Sequence, residues 1–526
     1  PLALIRGIDR WMRVYPYGCT EQLASSAEPL IALYRAAPQL GVDSSVARRA
    51  RADLERVVAT LARRQRDDGG IGLWSATDWT TPWLSAYAGA ILLEAKLAGL
   101  AVDDSVVARL GGYLQRSLAE RGPIQAPVAY WYDRADVRLS DRVMAVDYLS
   151  RAGLRDRGAE NELIRLAPQL AWEDRARLAH VLARGGDLAA SRRLLEPAWR
   201  GVAVEGRTAR LPAATPREFY FLSRVRPAAW LLSATLAVDP SHPLVGPLVE
   251  TLIQLGRGER WLWNTQDYGP AVAALADFER HQRGRAARGI MVEAAGKPVL
   301  RLGSLGAARD STLPLAPFLA KGSNRLGLRL TAAGAASSSA PLFYYVTATT
   351  APRAAPVRPG DHGLQVERWY ERYEDGKPTT ELKAGELVRV RVRVTVPAER
   401  YFVVVDDALP AGLEAVDLSL RTVGGVPGPG AGDSASTDGV VDEDGETSRW
   451  LYGSWDAGWW SPFDHRELRD DRVVFVATRL WKGSYTATYL ARATTPGTFT
   501  RPPAHAEEMY NPAVFGESDG GVFTVR

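Results

Sequence analysis

The one cysteine of this 526-residue chain, Cys19, stands three positions before Gln22 in the run Tyr15-Pro16-Tyr17-Gly18-Cys19-Thr20-Glu21-Gln22, and a helical pattern follows from Leu23. In the first turn of a helix, positions i and i+3 share a face, so the thiol and the carboxamide can meet. Attack of sulfur on the carboxamide carbon would expel ammonia and leave an internal thioester, an activated acyl group. A helix N-terminus favours a thiolate, so the Cys19 thiol is expected to titrate below its ordinary value. Gly18 lets the chain turn tightly into the helix. A wet thioester hydrolyses, so it needs apolar cover, and Tyr15 and Tyr17 are placed to help. Two plainer readings compete. One is an inert buried cysteine beside an unrelated glutamine. The other is a catalytic thiol with a histidine base folded back from afar, the first histidine after it being His180.

The elements that must carry this pair read as helices through the first half. Asp43 to Arg66 has an N-cap residue and apolar positions Val46, Leu54, Val57, Val58 and Leu61 on one face. Comparable stretches lie near 20–36, 81–99, 103–118, 139–152, 158–170, 172–184, 187–198, 227–237, 244–256 and 268–284, with no strand signal between them. They suggest stacked helical hairpins, either an open solenoid or a closed α/α toroid. After about residue 286 the period changes to two. Gly289–Ala294, Asn324–Leu330 and Leu342–Thr347 read as strands, and Ala351–Pro359 as a linker. Val388, Val390, Val392, Val394 and Val396 alternate with Arg389, Arg391, Arg393 and Thr395, a strand with one buried and one wet face. Further strands are expected at 400–405, 472–478, 483–491 and 521–525, with 422–448 a long loop.

Composition narrows the class. Hydrophobic residues make up 46% and charged residues 24%, as in soluble globular proteins. The 16 Trp and 19 Tyr argue against disorder. A net charge of +4, with acids and bases interleaved, does not indicate nucleic-acid binding. One cysteine excludes an intramolecular disulfide. No stretch is apolar for long enough to span a bilayer, and the opening residues do not read as a signal peptide. The chain opens on Pro1 and runs straight into a helical pattern, so it is expected to start inside a larger protein with any targeting signal upstream.

Gly18-Cys19-Thr20-Glu21-Gln22 matches the G-C-x-E-Q signature of the alpha-2-macroglobulin and complement superfamily, and Tyr15-Pro16-Tyr17 is similar to its bacterial branch. The likeness continues in order: Asp68 to Trp74, Trp83-Leu84-Ser85-Ala86-Tyr87, Trp263-Asn264-Thr265-Gln266-Asp267, Arg492 to Gly497 and Pro502 to Tyr510 each resemble family segments. The resemblance to bacterial alpha-2-macroglobulins implies a multidomain α and β chain. Residues 1–285 would be an α/α-toroid thioester domain, 286–358 a CUB-like β segment, and 359–526 a macroglobulin-type antiparallel β-sandwich. It implies a protease inhibitor and not an enzyme. Target proteases would be captured through their lysine amines after a bait region elsewhere is cut. It implies a monomer in the periplasm, with the full-length protein held to the inner membrane by a lipid anchor. It implies no cofactor, no metal and no nucleic-acid partner. Tyr15, by position, and Met509, from the terminal domain, match the family's shielding residues. Complement relatives use a downstream histidine to favour hydroxyl targets; none occurs where it would be expected, and His180 comes too late, so direct attack by amines is expected.

Other clusters have bland readings. Asp67-Asp68 and Asp442-Glu443-Asp444 read as solvated loop acids, Trp459-Trp460 as sandwich core, and Arg389, Arg391 and Arg393 as a solvated strand face. Two other functions compete: an α/α-toroid enzyme acting on glycans or isoprenoids, which would need paired acids lining the ring, and a thioester adhesin that attaches to host amines without prior proteolysis.

Overall fold

The structure is a computed structural model; it describes residues 18–40, 44–120, 135–212, 223, 225–255, 264–281, 289–294, 297–302, 313–314, 316–318, 328–333, 358–416 and 462–526. The chain divides into two compact units, Pro1–Pro216 with Ser223–Thr349, and Arg217–Leu222 with Thr350–Arg526.

The first unit contains α1 (Thr20–Leu40), α2 (Ser44–Arg63), α3 (Pro82–Leu97), α4 (Asp104–Ala119), α5 (Ala135–Arg151), α6 (Arg157–Arg165), α7 (Trp172–Arg184), α8 (Leu188–Gly201), α9 (Val225–Val238), α10 (Val245–Leu255) and α11 (Thr265–His281). Local chemistry starts several of them. Thr81 accepts from the Leu84 amide with Pro82 in the first turn, and Asp103, Asp156 and Asp187 cap α4, α6 and α8 in the same way. Every second helix packs on the next: α1 on α3, α3 on α5, α5 on α7, α7 on α9, and α9 on α11. The last then packs back on the first, α11 against α1, so the series closes on itself. The remaining helices, α2, α4, α6, α8 and α10, pack against this closed set. Ala24, Ala27, Leu30 and Ile31 of α1, with Leu92 of α3 and Ala271 of α11, belong to one continuous apolar core.

The helical half is not free of strands. A short hairpin, β1 (Ala203–Glu205) with β2 (Thr208–Arg210), turns at Gly206 in the left-handed region and packs on α10. Beyond the helices, β3 (Gly289–Ala294) sits between β4 (Lys297–Leu302) and β5 (Leu328–Ala333). Leu342–Thr347, Ala351–Val357 and 422–448 lie outside the described residues.

The second unit is made of sheets. A six-stranded sheet runs β12 (His465–Leu468), β13 (Arg472–Leu480), β10 (Arg400–Ala408), β16 (Ala504–Glu508), β17 (Asn511–Glu517), β6 (Gly360–His362). A four-stranded sheet runs β11 (Leu413–Ala415), β14 (Gly483–Ala493), β9 (Leu387–Val396), β7 (Gln365–Arg372). The named strands of these two sheets pair antiparallel, while β18 (Gly521–Val525) runs parallel to β8 (Glu381–Leu382), with β15 (Gly497–Arg501) on the far side of β18. The alternation in β9 buries all five valines from Val388 to Val396. Its arginine face is not simply solvated: Arg389 and Arg391 share Glu371 of β7, and Arg393 lies over Trp369. In the same unit the side chains of Arg368 and Asp407 are both fully buried and meet at 2.5 Å, with the Tyr489 hydroxyl donating to the same carboxylate at 2.8 Å.

Candidate functional site

Cys19 is the residue immediately before α1, and its carbonyl accepts the first helical bond, from Leu23 at 2.9 Å. It is therefore the N-cap. The Gln22 amide donates to Cys19 Sγ at 3.5 Å, and the Cys19 amide donates to Gln22 Oε1 at 3.1 Å. This is the reciprocal arrangement of a capping box, in which the cap side chain serves the third helical amide and that residue's side chain reaches back to the cap amide. Here sulfur stands where a hydroxyl usually stands. A local rule for starting a helix thus brings a thiol and a carboxamide together, as the three-residue spacing predicts.

The loop between α2 and α3 covers the pair. The Thr20 amide donates to Leu73 O at 2.8 Å and the Thr20 hydroxyl to Gly72 O at 2.7 Å. Arg64, at the end of α2, donates to Gly18 O, Thr20 Oγ1 and Leu73 O at 2.9, 3.1 and 3.2 Å. Asp78 folds the loop by accepting from the amides of Trp74 and Trp79. Gly72 is required here, since a Cβ would lie 1.9 Å from Ser75 O. The result is an apolar cover: Cys19 packs with Leu73 and Leu84, and Trp74, Trp79 and Trp83 lie against them. Cys19 and Gln22 are each 2% exposed.

That cover reverses one expectation. Burial pushes the Cys19 thiol well above its ordinary value, and the nearby Glu21 carboxylate pushes it further. The amides of Gln22 and Glu21 and the Arg64 guanidinium pull the other way but do not win. The helix N-terminus does favour the thiolate; removal of water disfavours it more. The free group is a thiol.

On the far side of α1's first turn the polar contacts run inward. Ser25 Oγ donates to Glu21 Oε1 at 2.5 Å and lies 2.8 Å from the Tyr87 hydroxyl of α3. Thr265, first residue of α11, donates to the same carboxylate at 3.1 and 3.2 Å. The Asn264–Asp267 segment singled out in the sequence is thereby tied to the cysteine motif across the closure of the helix series.

Of the other sequence-predicted residues, Tyr15 and Tyr17 lie outside the described residues. Met509 is buried in the second unit, its amide donating to Phe402 O at 3.0 Å. His180 sits on α7 against Trp230, and burial, with Arg184 and Arg151, pushes its imidazole down to about 4. Asp68 pairs with Arg66 and accepts from the Gly70 amide, a turn role. Asp442–Asp444 and Trp459-Trp460 are outside the described residues. Among the described residues no group of three or more potential ligands could hold a metal, and no helix is long and apolar enough to cross a membrane. Sequence reasoning missed Arg64 and the tryptophan cover. Three tryptophans within Trp74–Trp83 were the available signal.

Residues 363–513 match the family described as Bacterial Alpha-2-macroglobulin MG10 domain. Over 524 residues, 97% of the chain, the sequence is 28% identical to alpha-2-macroglobulin of Escherichia coli K12. Along nearly its whole length the chain is similar to the bacterial alpha-2-macroglobulins. It is likewise 28% identical, over 95% of its length, to the alpha-2-macroglobulin of Xylella fastidiosa Temecula1. The chain spans 28% of the length of each of these two relatives. The fold is similar to the structure of native E. coli alpha-2-macroglobulin from domain MG7 to the C-terminus, with a TM-score of 0.75 at 24% identity, covering 99% of this chain and 75% of that one. It is also similar to Salmonella alpha-2-macroglobulin reacted with methylamine, with a TM-score of 0.72 at 21% identity, covering 99% of this chain and 31% of that one. The family's macroglobulin-like β sheets are those of the second unit.

Proposed function

We propose that Cys19 and Gln22 form an internal thioester and that the chain serves a protease inhibitor that captures its targets covalently. The observation that carries this reading is the reciprocal cap, a thiol and a carboxamide locked together under an apolar cover. In formation, Cys19 Sγ bonds to Gln22 Cδ, the Cδ–Nε2 bond breaks, and the nitrogen leaves as ammonia with the thiol proton. A thiol held protonated by burial supplies that proton. Charge gathering on Oε1 is met by the Cys19 amide already donating to it at 3.1 Å.

In capture, a lysine amine of a protease attacks Cδ, an amide forms, and Cys19 departs as a thiol. Each thioester is used once, so this is inhibition without turnover. The trigger would be cleavage of a bait region elsewhere in the full-length protein. The closed helix series supports assigning residues 1–285 as an α/α-toroid thioester domain, with 286–358 as a CUB-like segment and 359–526 as the terminal sandwich. By the resemblance Tyr15 and Tyr17 add to the shield, and the protein acts as a periplasmic monomer anchored by lipid to the inner membrane.

The test is intact mass before and after methylamine. A starting mass short by one ammonia, gain of one methylamine and appearance of one titratable thiol are expected; Cys19→Ala should do none of these. A full mass and a free thiol from the start would sink the thioester. Covalent protease adducts that methylamine pretreatment abolishes are expected next, and adducts formed without any proteolysis would favour an adhesin instead.

A further inference from the structure

Glu21 is the motif residue to which this mechanism gives no task. Its carboxylate is buried, two positions from Cys19 in the same helical turn, at 2% exposure. Two hydroxyls donate to it, and a third backs one of them. Ser25 Oγ commits its hydrogen to Glu21 Oε1, so the Tyr87 hydroxyl must donate to Ser25 in turn, and Thr265 shares its hydrogen between both carboxylate oxygens. These hydroxyls come from three helices, and hydrogen bonding of this kind favours the ionised carboxylate. These donors work against the burial that opposes ionisation and favour a negative charge beside the reacting atoms, where little water screens it.

We infer that Glu21 is an electrostatic restraint on the acyl bond: its fixed negative charge opposes the charge that must gather on Gln22 Oε1 and Cys19 Sγ whenever an amine cleaves the thioester. This rests on the thioester reading above. As an amine adds to Gln22 Cδ, the carbonyl pair moves to Oε1. As the C–S bond breaks, its pair moves to Sγ, and the proton lost by the amine ends on sulfur. The developing charge is negative at both stages, so a carboxylate of the same sign slows the reaction whichever stage limits it. The free thiol already registers this neighbour, which pushes it up. Arg64 is the counterweight, a cation tied to Gly18 O, Thr20 Oγ1 and Leu73 O. The bond is then held in reserve by charge as well as by exclusion of water.

The experiment measures methylamine rate constants against pH, corrected to unprotonated amine, after intact mass has shown the missing ammonia. A wild-type chain of full mass fails the thioester reading itself, before Glu21 is in question. With the thioester present, Glu21→Gln keeps the shape and one acceptor oxygen and loses the charge; it is expected to react about tenfold faster or more. Its freed Cys19 thiol should also alkylate at lower pH. Glu21→Asp keeps the charge and should stay within about threefold of wild type. Equal rates for Glu21→Gln and wild type would overturn the proposal. So would acceleration by Glu21→Asp as large as by Glu21→Gln, which would mean loosened packing. If Glu21→Gln does not fold, Thr265→Val removes one donor and lets the carboxylate take a proton more readily. Its rate relative to wild type should then climb as pH falls, and a flat ratio would overturn the idea.

Discussion

In the sandwich unit, Arg368 faces Asp407 at 2.5 Å, both side chains fully buried, and Tyr489 completes the carboxylate. In the helical unit Asp147 is handled in the same way. Burial works against its charge, but Arg151, Arg184 and Arg177 more than offset this and hold the carboxyl well below the usual range. Glu28 of α1, two turns below Cys19, is different. Its Oε2 has no hydrogen-bond partner among the described residues, and burial pushes its carboxyl up to about 7; Arg151 and Arg177 draw it down, while Glu94 and Asp147 raise it. One region pairs its buried acid with a base and gains a fixed architecture. The helical unit does the same at Asp147 but also carries Glu28, an acid with one oxygen unpartnered among the described residues, on the helix that bears the reactive pair. An acid matched by a base holds a shape; one without a base answers to pH.

The sharpest break between the regions should come from single substitutions. Cys19→Ala is expected to abolish methylamine uptake entirely while moving the denaturant midpoint little, as read by intact mass and urea unfolding. Asp407→Ala should do the converse to stability, costing about 3–5 kcal/mol, because it strands the Arg368 cation in the core. The paired replacement Arg368→Met with Asp407→Leu should recover most of that loss in the same unfolding assay. If it does not, the sandwich pair is more than architecture and the contrast fails.

A smaller effect separates Glu28 from the matched acids. Its folded value is raised from 4.5 to about 7, so the protonated form favours folding. That contribution is full below about pH 4.5 and is lost as pH rises through 7. Glu28→Gln should therefore gain on wild type as pH rises across this window, by on the order of 2 kcal/mol. Thermal midpoints from pH 4 to 8 would show it, and parallel profiles would place Glu28 with the matched acids. Smallest is the cap of α8: Asp187→Ala should cost about 1 kcal/mol at any pH where the carboxylate is ionised. It touches neither buried network, so a larger loss would show the helices to be more tightly coupled than their caps suggest.

What was legible in the sequence was whatever local chemistry decides. α7 has the bounds its periodicity predicts, and the Val–Arg alternation of β9 carries over valine by valine. The Cys19–Gln22 meeting was legible because a capping box spans three residues. The direction of the thiol's shift was not, because Leu73, Trp74 and Trp79 from the α2–α3 loop, with Trp83 and Leu84 from the start of α3, lie far along the sequence and remove the water that local reasoning assumes. The β1–β2 hairpin escaped notice because each strand is only three residues long and shows no alternation to read. Whether the helices close on themselves depends on α11 meeting α1, which no periodicity encodes.

That closure also sets an order of events during synthesis. The bond from Thr265 to Glu21 joins residues 244 positions apart. A growing chain that stops short of residue 265 has the thiol, the carboxamide and their cap, but not the last clamp on the acid beside them. The reactive turn is made long before it is finished.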